Sequence, residues 1–207
     1  MIVLSIFGGM RQGELDALTW SDVDLENFTI NIDKSLQHLP GRATFTKITK
    51  TGTTRIISVP ASVIELLKKH KLWQSEEKLN LGKLWHKEES FIFTAYDGSA
   101  IFPSTVSKWF LKFLRKHNEL INNDDTISDK EKYILPEVNF HGLRHTNATI
   151  LINQNTDIAT ISKRLGHAKI STTTDIYAHS LHKADKTASD NLDHLFNKKN
   201  IQDKKHG

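Results

Sequence analysis

All of the strand-like sequence in this chain lies between residues 28 and 59. Apolar and polar residues alternate over 28–32, and two further runs follow at 43–48 and 55–59, before Pro60. Outside this region apolar residues recur at helical spacing instead. This separation predicts a mixed α+β fold that is mainly helical, with one small antiparallel three-stranded sheet.

The sequence marks the boundaries of several helical segments. A first helix is expected from Ile2 to Phe7, because Gly8-Gly9 then breaks the pattern. Gly166 is expected to end one helix and Ser171 to cap the next. The other segments with helical periodicity are 63–70, 106–114, 142–153, 157–165 and 171–177. The apolar stripe over 106–114 is expected to belong to the core.

Composition narrows the possible functions. The 207 residues suffice for one domain with a full core, and no apolar run approaches the ~20 residues of a membrane span. The absence of cysteine excludes disulfides, thiolate metal sites and cysteine nucleophiles, and it fits a reducing cytoplasm. A net charge of +4 permits nucleic-acid binding without demonstrating it.

The first motif with chemical potential is His141-Gly142-Leu143-Arg144-His145. Residues three apart on a helix share a face, so the guanidinium of Arg144 would lie beside the imidazole of His141. A guanidinium suits two phosphate oxygens, and an imidazole can transfer a proton near neutral pH. An ordinary polar pair on a solvated helix is the alternative. A metal site through His141 and His145 is a third reading, but it lacks an evident third ligand.

The second motif extends from Leu165-Gly166-His167 to Thr173 and Tyr177. Its glycine places His167 in a tight turn, and Tyr177 follows ten positions later in the next helix. Taken alone, Tyr177 would be a packing tyrosine.

Together the two motifs resemble the tyrosine recombinase (phage integrase) family, whose pattern is HxLRH…LGH…TxxxY. The resemblance extends to an arginine in Gly9-Met10-Arg11-Gln12-Gly13-Glu14-Leu15. It also includes a lysine on a β-hairpin, which fits Lys50 before Thr51-Gly52, with Lys47 as a nearby competitor. It covers the chain from Gly9 to about Phe196.

The resemblance implies six catalytic residues, no cofactor and no metal. The two arginines would clamp the scissile phosphate, and the tyrosine would attack phosphorus to give a 3′-phosphotyrosine. The histidine of the first motif would accept the tyrosine proton, the lysine would protonate the leaving 5′ oxygen, and the second histidine would bind the phosphate. The residues are Arg11, Lys50, His141, Arg144, His167 and Tyr177.

The same resemblance suggests the domain organisation and partners. Residues 1–197 are expected to be a catalytic domain without the family's preceding core-binding domain, and 198–207 a polar tail. The segment from Lys183 to Phe196 would dock on a neighbouring protomer and form a homotetramer on double-stranded attachment-site DNA. Accessory DNA-bending or directionality factors are further possible partners. We expect a cytoplasmic, bacterial nucleoid-associated or phage- or element-encoded protein.

Two other functions remain open. A chain without the upstream domain could be a catalytically silent DNA-binding remnant that modulates recombination. A type IB topoisomerase-like enzyme would share the chemistry but relax DNA instead of exchanging strands.

Overall fold

The computed structural model describes residues 1–37, 45–48, 54–86 and 90–178, together with 185, 186, 189, 192 and 193. The chain divides into two compact units, Met1–Asn147 and Ala148–Gly207. The boundary falls within one helix, and each unit is described by itself.

In the first unit, helices both precede and follow the strands along the chain. They include α1, Ile2–Gly8, and the short α2, Gln12–Asp16, before the strands. Two long helices, α3 (Ala61–Leu81) and α4 (Pro103–Asn123), follow, and then the start of α5 (Gly142–Asn153). Single 3-10 turns occupy Trp20–Asp22, Gly82–Leu84 and Lys130–Lys132.

Two small antiparallel sheets account for the described strands. The first has three strands in the order β1 (Val23–Asp24), β2 (Thr29–Ile32) and β5 (Arg55–Ser58). The second pairs β3 (Lys34–Gln37) with β4 (Phe45–Ile48).

The predicted mainly helical α+β fold with a small antiparallel three-stranded sheet is therefore confirmed. The assignment of the run at 43–48 to that sheet is wrong, because its described part, β4, pairs with β3 instead. The third strand is β1, which has only two residues. Alternation specifies which face of a strand is buried, whereas its pairing partner depends on the turns and on packing.

The core of the first unit joins these sheets to the long helices. Ile30 and Ile57 face each other across β2 and β5, and both are almost completely buried. The Phe110 ring of α4 meets the Phe140 ring edge-on, with centroids 5.6 Å apart. This edge-to-face arrangement is favourable for aromatic pairs.

The stripe over 106–114 is only partly core. Val106, Phe110 and Leu114 are buried, one turn apart along α4. Trp109 and Phe113 remain 53% and 43% exposed, and their rings stack on each other at 5.4 Å. The prediction that the whole stripe is core is thus wrong for these two residues. The buried residues of α4 are spaced four apart, and Trp109 and Phe113 lie beside them at the edge of the buried face.

The second unit contains the end of α5, then α6 (Ile158–Leu165) and a helix α7 over 170–178. Asp157 begins α6 by accepting a hydrogen bond from the Thr160 amide at 2.8 Å. Gly166 ends α6 in the left-handed conformation, with φ of 65°, as predicted. Ser171 is not the N-cap of α7, because the helix already includes residue 170.

In the described ranges, no helix has both the length and the apolar character needed to cross a membrane.

Candidate active site

Arg11 lies immediately before α2 and is bound to the first turn of that helix. Its amide nitrogen and its Nη1 each donate to the Glu14 carboxylate at 2.8 Å. The Arg11 side chain is 39% exposed, whereas that of Glu14 is 2% exposed. The guanidinium is therefore held at the surface of this unit by a buried anchor.

Glu14 is itself held by a second arginine. Arg55, at the start of β5, donates from Nη1 and Nη2 to the two carboxylate oxygens of Glu14 at 2.9 and 2.7 Å. Burial alone would raise the pKa of Glu14. The hydrogen bonds and charges of Arg55 and Arg11 outweigh burial, so the pKa lies below its usual value.

The Glu14–Arg55 pair was not assigned to the site in the sequence analysis, although the position of Arg55 in its strand gives a signal for it. Arg55 and Ile57 are both on the buried face of β5, and they alternate with the exposed Ile56 and Ser58. A charged residue in a core-facing register needs a buried partner of opposite charge. Glu14, three residues after Arg11, is the partner that the structure provides.

Gly13 allows α2 to approach β3 closely. A Cβ at this position would lie 2.5 Å from the Ser35 Oγ and 3.0 Å from the Leu36 carbonyl oxygen. The lack of a side chain thus helps to fix the helix that carries Arg11.

Arg144 reaches the same region from α5. It is 2% exposed, and its Nη1 donates to the Gly9 carbonyl oxygen at 2.6 Å. Gly9 caps α1 in the left-handed conformation, with φ of 63°, two residues before Arg11. The contact therefore joins the buried Arg144 to the turn that carries Arg11.

His141 lies just before the first residue of α5, and its carbonyl oxygen accepts from the Arg144 amide at 3.1 Å. Its ring meets the His145 ring edge-on, with centroids 5.0 Å apart. Partial burial lowers the pKa of His141 below its usual 6.5. The positive charges of His145, Arg144 and Arg11 lower the pKa further. The imidazole is therefore mainly neutral near pH 7, the form that can accept a proton.

The two lysine candidates differ in what can be said of them. Lys50 lies outside the described residues, so its predicted role stays a prediction. Lys47 is an exposed residue of β4, paired in register with Ser35 of β3.

The second unit carries the other two predicted residues. His167 follows Gly166, and its Nδ1 is 2.7 Å from the Thr173 Oγ1. Tyr177 lies one turn after Thr173 on α7 and is only 5% exposed. It packs in an apolar cluster with Ala148, Ile152, Ile161 and Leu165.

The structure thus brings Arg11, His141 and Arg144 together in the first unit, and His167 with the Tyr177 helix in the second. Among the described residues, no group of three or more acidic or histidine side chains is arranged to hold a metal ion. The first cluster can bind an anion and accept a proton, and the second supplies a hydroxyl and a hydrogen-bonding imidazole.

Comparison with solved structures identifies the fold. The Tn1549 transposon integrase in complex with transposon right end DNA superposes with a TM-score of 0.73 at 22% identity, over 92% of this chain and 57% of that one. The XerA recombinase gives a TM-score of 0.60 at 24% identity, over 90% and 56% of the two chains. The fold is that of a tyrosine recombinase catalytic domain.

Residues 1–184 match the phage integrase family, and the chain belongs to that family. A tyrosine recombinase XerC-like protein of Caldanaerobacter subterraneus subsp. tengcongensis is 30% identical over 207 residues, covering 95% of this chain and 49% of the relative. The ICEBs1 integrase of Bacillus subtilis is 30% identical over 187 residues, covering 90% and 46%. The chain thus spans about half the length of the curated relatives it matches.

Proposed function

We propose that this protein is a site-specific DNA recombinase or integrase. It would cut and rejoin DNA through a 3′-phosphotyrosine and so integrate or excise a phage or mobile element in the cytoplasm. One observation carries the proposal: the buried Arg144 donates to the Gly9 carbonyl oxygen at 2.6 Å, in the turn that leads into Arg11.

The arginines supply the charge that phosphoryl transfer requires. The pentavalent transition state carries more negative charge on its non-bridging oxygens than the ground state does, and fixed guanidinium groups stabilise that difference. Arg144 is anchored on Gly9 and Arg11 on Glu14, so neither has to be reorganised when the phosphate binds. Their common attachment to the 9–14 segment fixes the spacing between them.

The proton transfers are assigned to two residues. Tyrosine has an ordinary pKa near 10, so Tyr177 needs a base to become a nucleophile at neutral pH. The neutral imidazole of His141 is that base, and Lys50 is the acid that protonates the leaving 5′ oxygen. His167 donates a hydrogen bond to the phosphate. A 5′-hydroxyl of the partner strand then attacks the phosphotyrosine and releases the enzyme.

A nicked suicide duplex carrying the element's attachment site tests the proposal. Loss of the short fragment 3′ of the cleaved phosphate traps the covalent intermediate, which migrates as a protein–DNA adduct. Wild-type protein should form the adduct and Tyr177→Phe should not. An adduct of equal yield with Tyr177→Phe would contradict the nucleophile assignment.

The choice between Lys50 and Lys47 needs a substrate with a better leaving group. With a 5′-bridging phosphorothiolate, departure of the sulfur needs no general acid. Lys50→Ala should therefore cleave the ordinary substrate slowly and the phosphorothiolate at nearly the wild-type rate. Lys47→Ala should cleave both substrates at nearly the wild-type rate. The reverse pattern would assign the role to Lys47.

A catalytically silent DNA-binding protein is the second candidate, and the burial of Tyr177 favours it. A nucleophile that is 5% exposed has to become accessible before it can reach phosphorus. The two candidates separate in one comparison: the silent protein would shift attachment-site DNA in a gel but yield no adduct on the suicide duplex.

The assembly is also proposed. The segment from Lys183 to Phe196 lies largely outside the described residues, but Leu192 within it is 67% exposed. An exposed apolar side chain supports docking of this segment on a neighbouring copy, and hence a homotetramer on DNA. Accessory DNA-bending or directionality factors would act on that assembly.

A further inference from the structure

Thr173 makes a contact that the proposed mechanism leaves without a role. Its Oγ1 lies 2.7 Å from Nδ1 of His167, and the residue is completely buried, with 0% of its surface exposed. A buried hydroxyl that meets an imidazole constrains both groups, because leaving either one unsatisfied is costly.

The backbone of His167 is already fixed by the end of α6. The left-handed Gly166 turns the chain, and the His167 amide then donates to the Ser162 carbonyl oxygen at 3.0 Å. This arrangement is a Schellman-type cap. The rotation of the imidazole ring depends on its side-chain contacts, and the bond to Thr173 is one of them.

A hydroxyl is suited to this task because it can donate and accept. A phosphate oxygen can only accept, so a neutral imidazole that binds it carries its proton on Nε2, and the Thr173 hydroxyl then donates to Nδ1. When the imidazole is protonated, Nδ1–H can donate to Oγ1 instead. The Thr173 contact can therefore persist in both states while Nε2–H donates to a phosphate oxygen. A carboxylate at this position could only accept, and it would favour the charged ring.

Thr173 also belongs to the helix that carries the nucleophile. It lies four residues before Tyr177 on α7, so the two side chains share a face, and both are buried. The same short helix thus fixes the histidine that meets the phosphate and the tyrosine that attacks it.

We propose that Thr173 is a positioning residue of the reaction: it holds His167 with Nε2–H as the donor to the scissile phosphate and couples that donor to the Tyr177 helix. The inference rests on the proposed function. It concerns substrate positioning, since Thr173 acts through His167 and does not itself touch the phosphate.

Three variants test the inference. Thr173→Val keeps the shape of the side chain and removes the hydroxyl, and Thr173→Ser restores the hydroxyl. Thr174→Val is the matched control, because Thr174 is exposed on the same helix and its Oγ1 donates only a long 3.4 Å bond to the Ile170 carbonyl. Circular dichroism of each variant verifies that the helices are retained.

The first readout does not depend on activity. Long-range ¹H–¹⁵N correlation spectra of the His167 ring report which nitrogen carries the proton. Wild type, Thr173→Ser and Thr174→Val should share one spectrum, and with the attachment-site duplex bound the proton should lie on Nε2. Thr173→Val should show a changed Nδ1 shift and a mixture of tautomers.

The second readout is the rate of adduct formation on the nicked suicide duplex. Thr173→Val should be slower than wild type by about tenfold, which corresponds to one lost buried hydrogen bond. Thr173→Ser and Thr174→Val should follow wild type throughout.

The possible failures are distinguishable. If wild type forms the adduct and Thr173→Val matches Thr174→Val in rate and spectrum, the inference is overturned while the proposed function stands. A folded Thr173→Ser that is as slow as Thr173→Val would also overturn it. If wild type forms no adduct, the proposed function fails, and unchanged His167 spectra in Thr173→Val would then overturn the tautomer assignment as well.

Discussion

Replacing Glu14 with glutamine should destabilise the first unit severely, because it removes a buried negative charge that is hydrogen-bonded to the Arg55 guanidinium. The Arg55 and Glu14 side chains are 8% and 2% exposed, and two hydrogen bonds of 2.9 and 2.7 Å join them. Breaking one partner of such a buried pair costs about 3–5 kcal/mol, since the remaining charge stays desolvated. Glutamine keeps one acceptor oxygen, so we expect about 3 kcal/mol.

Arg11 adds little to this figure. Its side chain is 39% exposed, so water screens its attraction to Glu14. The consequence of losing that bond is positional, because the Arg11 guanidinium would no longer be held at the start of α2.

Glu137→Gln is the matched control. Glu137 accepts from Arg115 Nε at 3.1 Å, but the two side chains are 50% and 67% exposed. Removing the charge of an exposed pair changes stability by about 1 kcal/mol or less. The assay is urea unfolding followed by tryptophan fluorescence, because all four tryptophans, at positions 20, 73, 85 and 109, lie in the first unit.

The pH dependence gives an independent check with a definite sign. The pKa of Glu14 is lower in the folded protein than its usual 4.5. Its contribution to stability is therefore complete above pH 4.5 and is lost as the pH falls through the folded-state pKa. The gap between wild type and Glu14→Gln should be full near neutral pH and should narrow in acid. A loss for Glu14→Gln no larger than that for Glu137→Gln would refute the reasoning.

Three further results are expected. Burial raises the pKa of Asp16 to about 7, against a smaller opposing effect of Gln12. Asp16→Asn should therefore gain stability relative to wild type as the pH rises from about 5 to about 8, and a constant difference in urea midpoint would contradict this. The lowered pKa of His141 should keep adduct formation constant from about pH 8 to below pH 6.5, and a rate that already halves at pH 6.5 would argue against His141 as the base. Leu192→Glu should abolish the tetramer on DNA, measured by light scattering. Leu79→Glu, at a residue of α3 that is 80% exposed, should leave the tetramer intact. Equal assembly of the two variants would contradict a role of the C-terminal segment in forming the tetramer.

The family and the fold class could be predicted from the sequence because they depend on local signals. The helices after residue 142 follow the 3.6-residue periodicity, and the αL position of Gly166 follows from the missing Cβ of glycine. His141 and Arg144 were expected close together because only one helical turn separates them.

The parts of the site that could not be predicted involve residues distant in sequence. The partner of Arg55 lies 41 positions away, and nothing in the spacing of either residue identifies it. The contact of Arg144 with Gly9 spans 135 positions and depends on the capping geometry of α1. The sequence pattern of the run at 43–48 is likewise compatible with either sheet.

The burial of Tyr177 shows a different limit. The sequence predicted a tyrosine on a helix and allowed both a packing role and a catalytic one. In the second unit its ring fills an apolar cluster, while its helix is bonded through Thr173 to His167. A catalytic role for Tyr177 therefore requires its hydroxyl to become accessible, which the sequence gives no means of predicting.

The catalytic assignment is decided by identifying the residue that becomes covalently linked to DNA. The chain has three tyrosines, and the other two, Tyr96 and Tyr133, are 86% and 55% exposed against 5% for Tyr177. Adduct trapped on the suicide duplex would be digested with trypsin and nuclease, and the phosphonucleotide-bearing peptide sequenced by mass spectrometry. The modification should lie on Tyr177 alone. Modification of Tyr96 or Tyr133, or an adduct through a residue other than tyrosine, would contradict it.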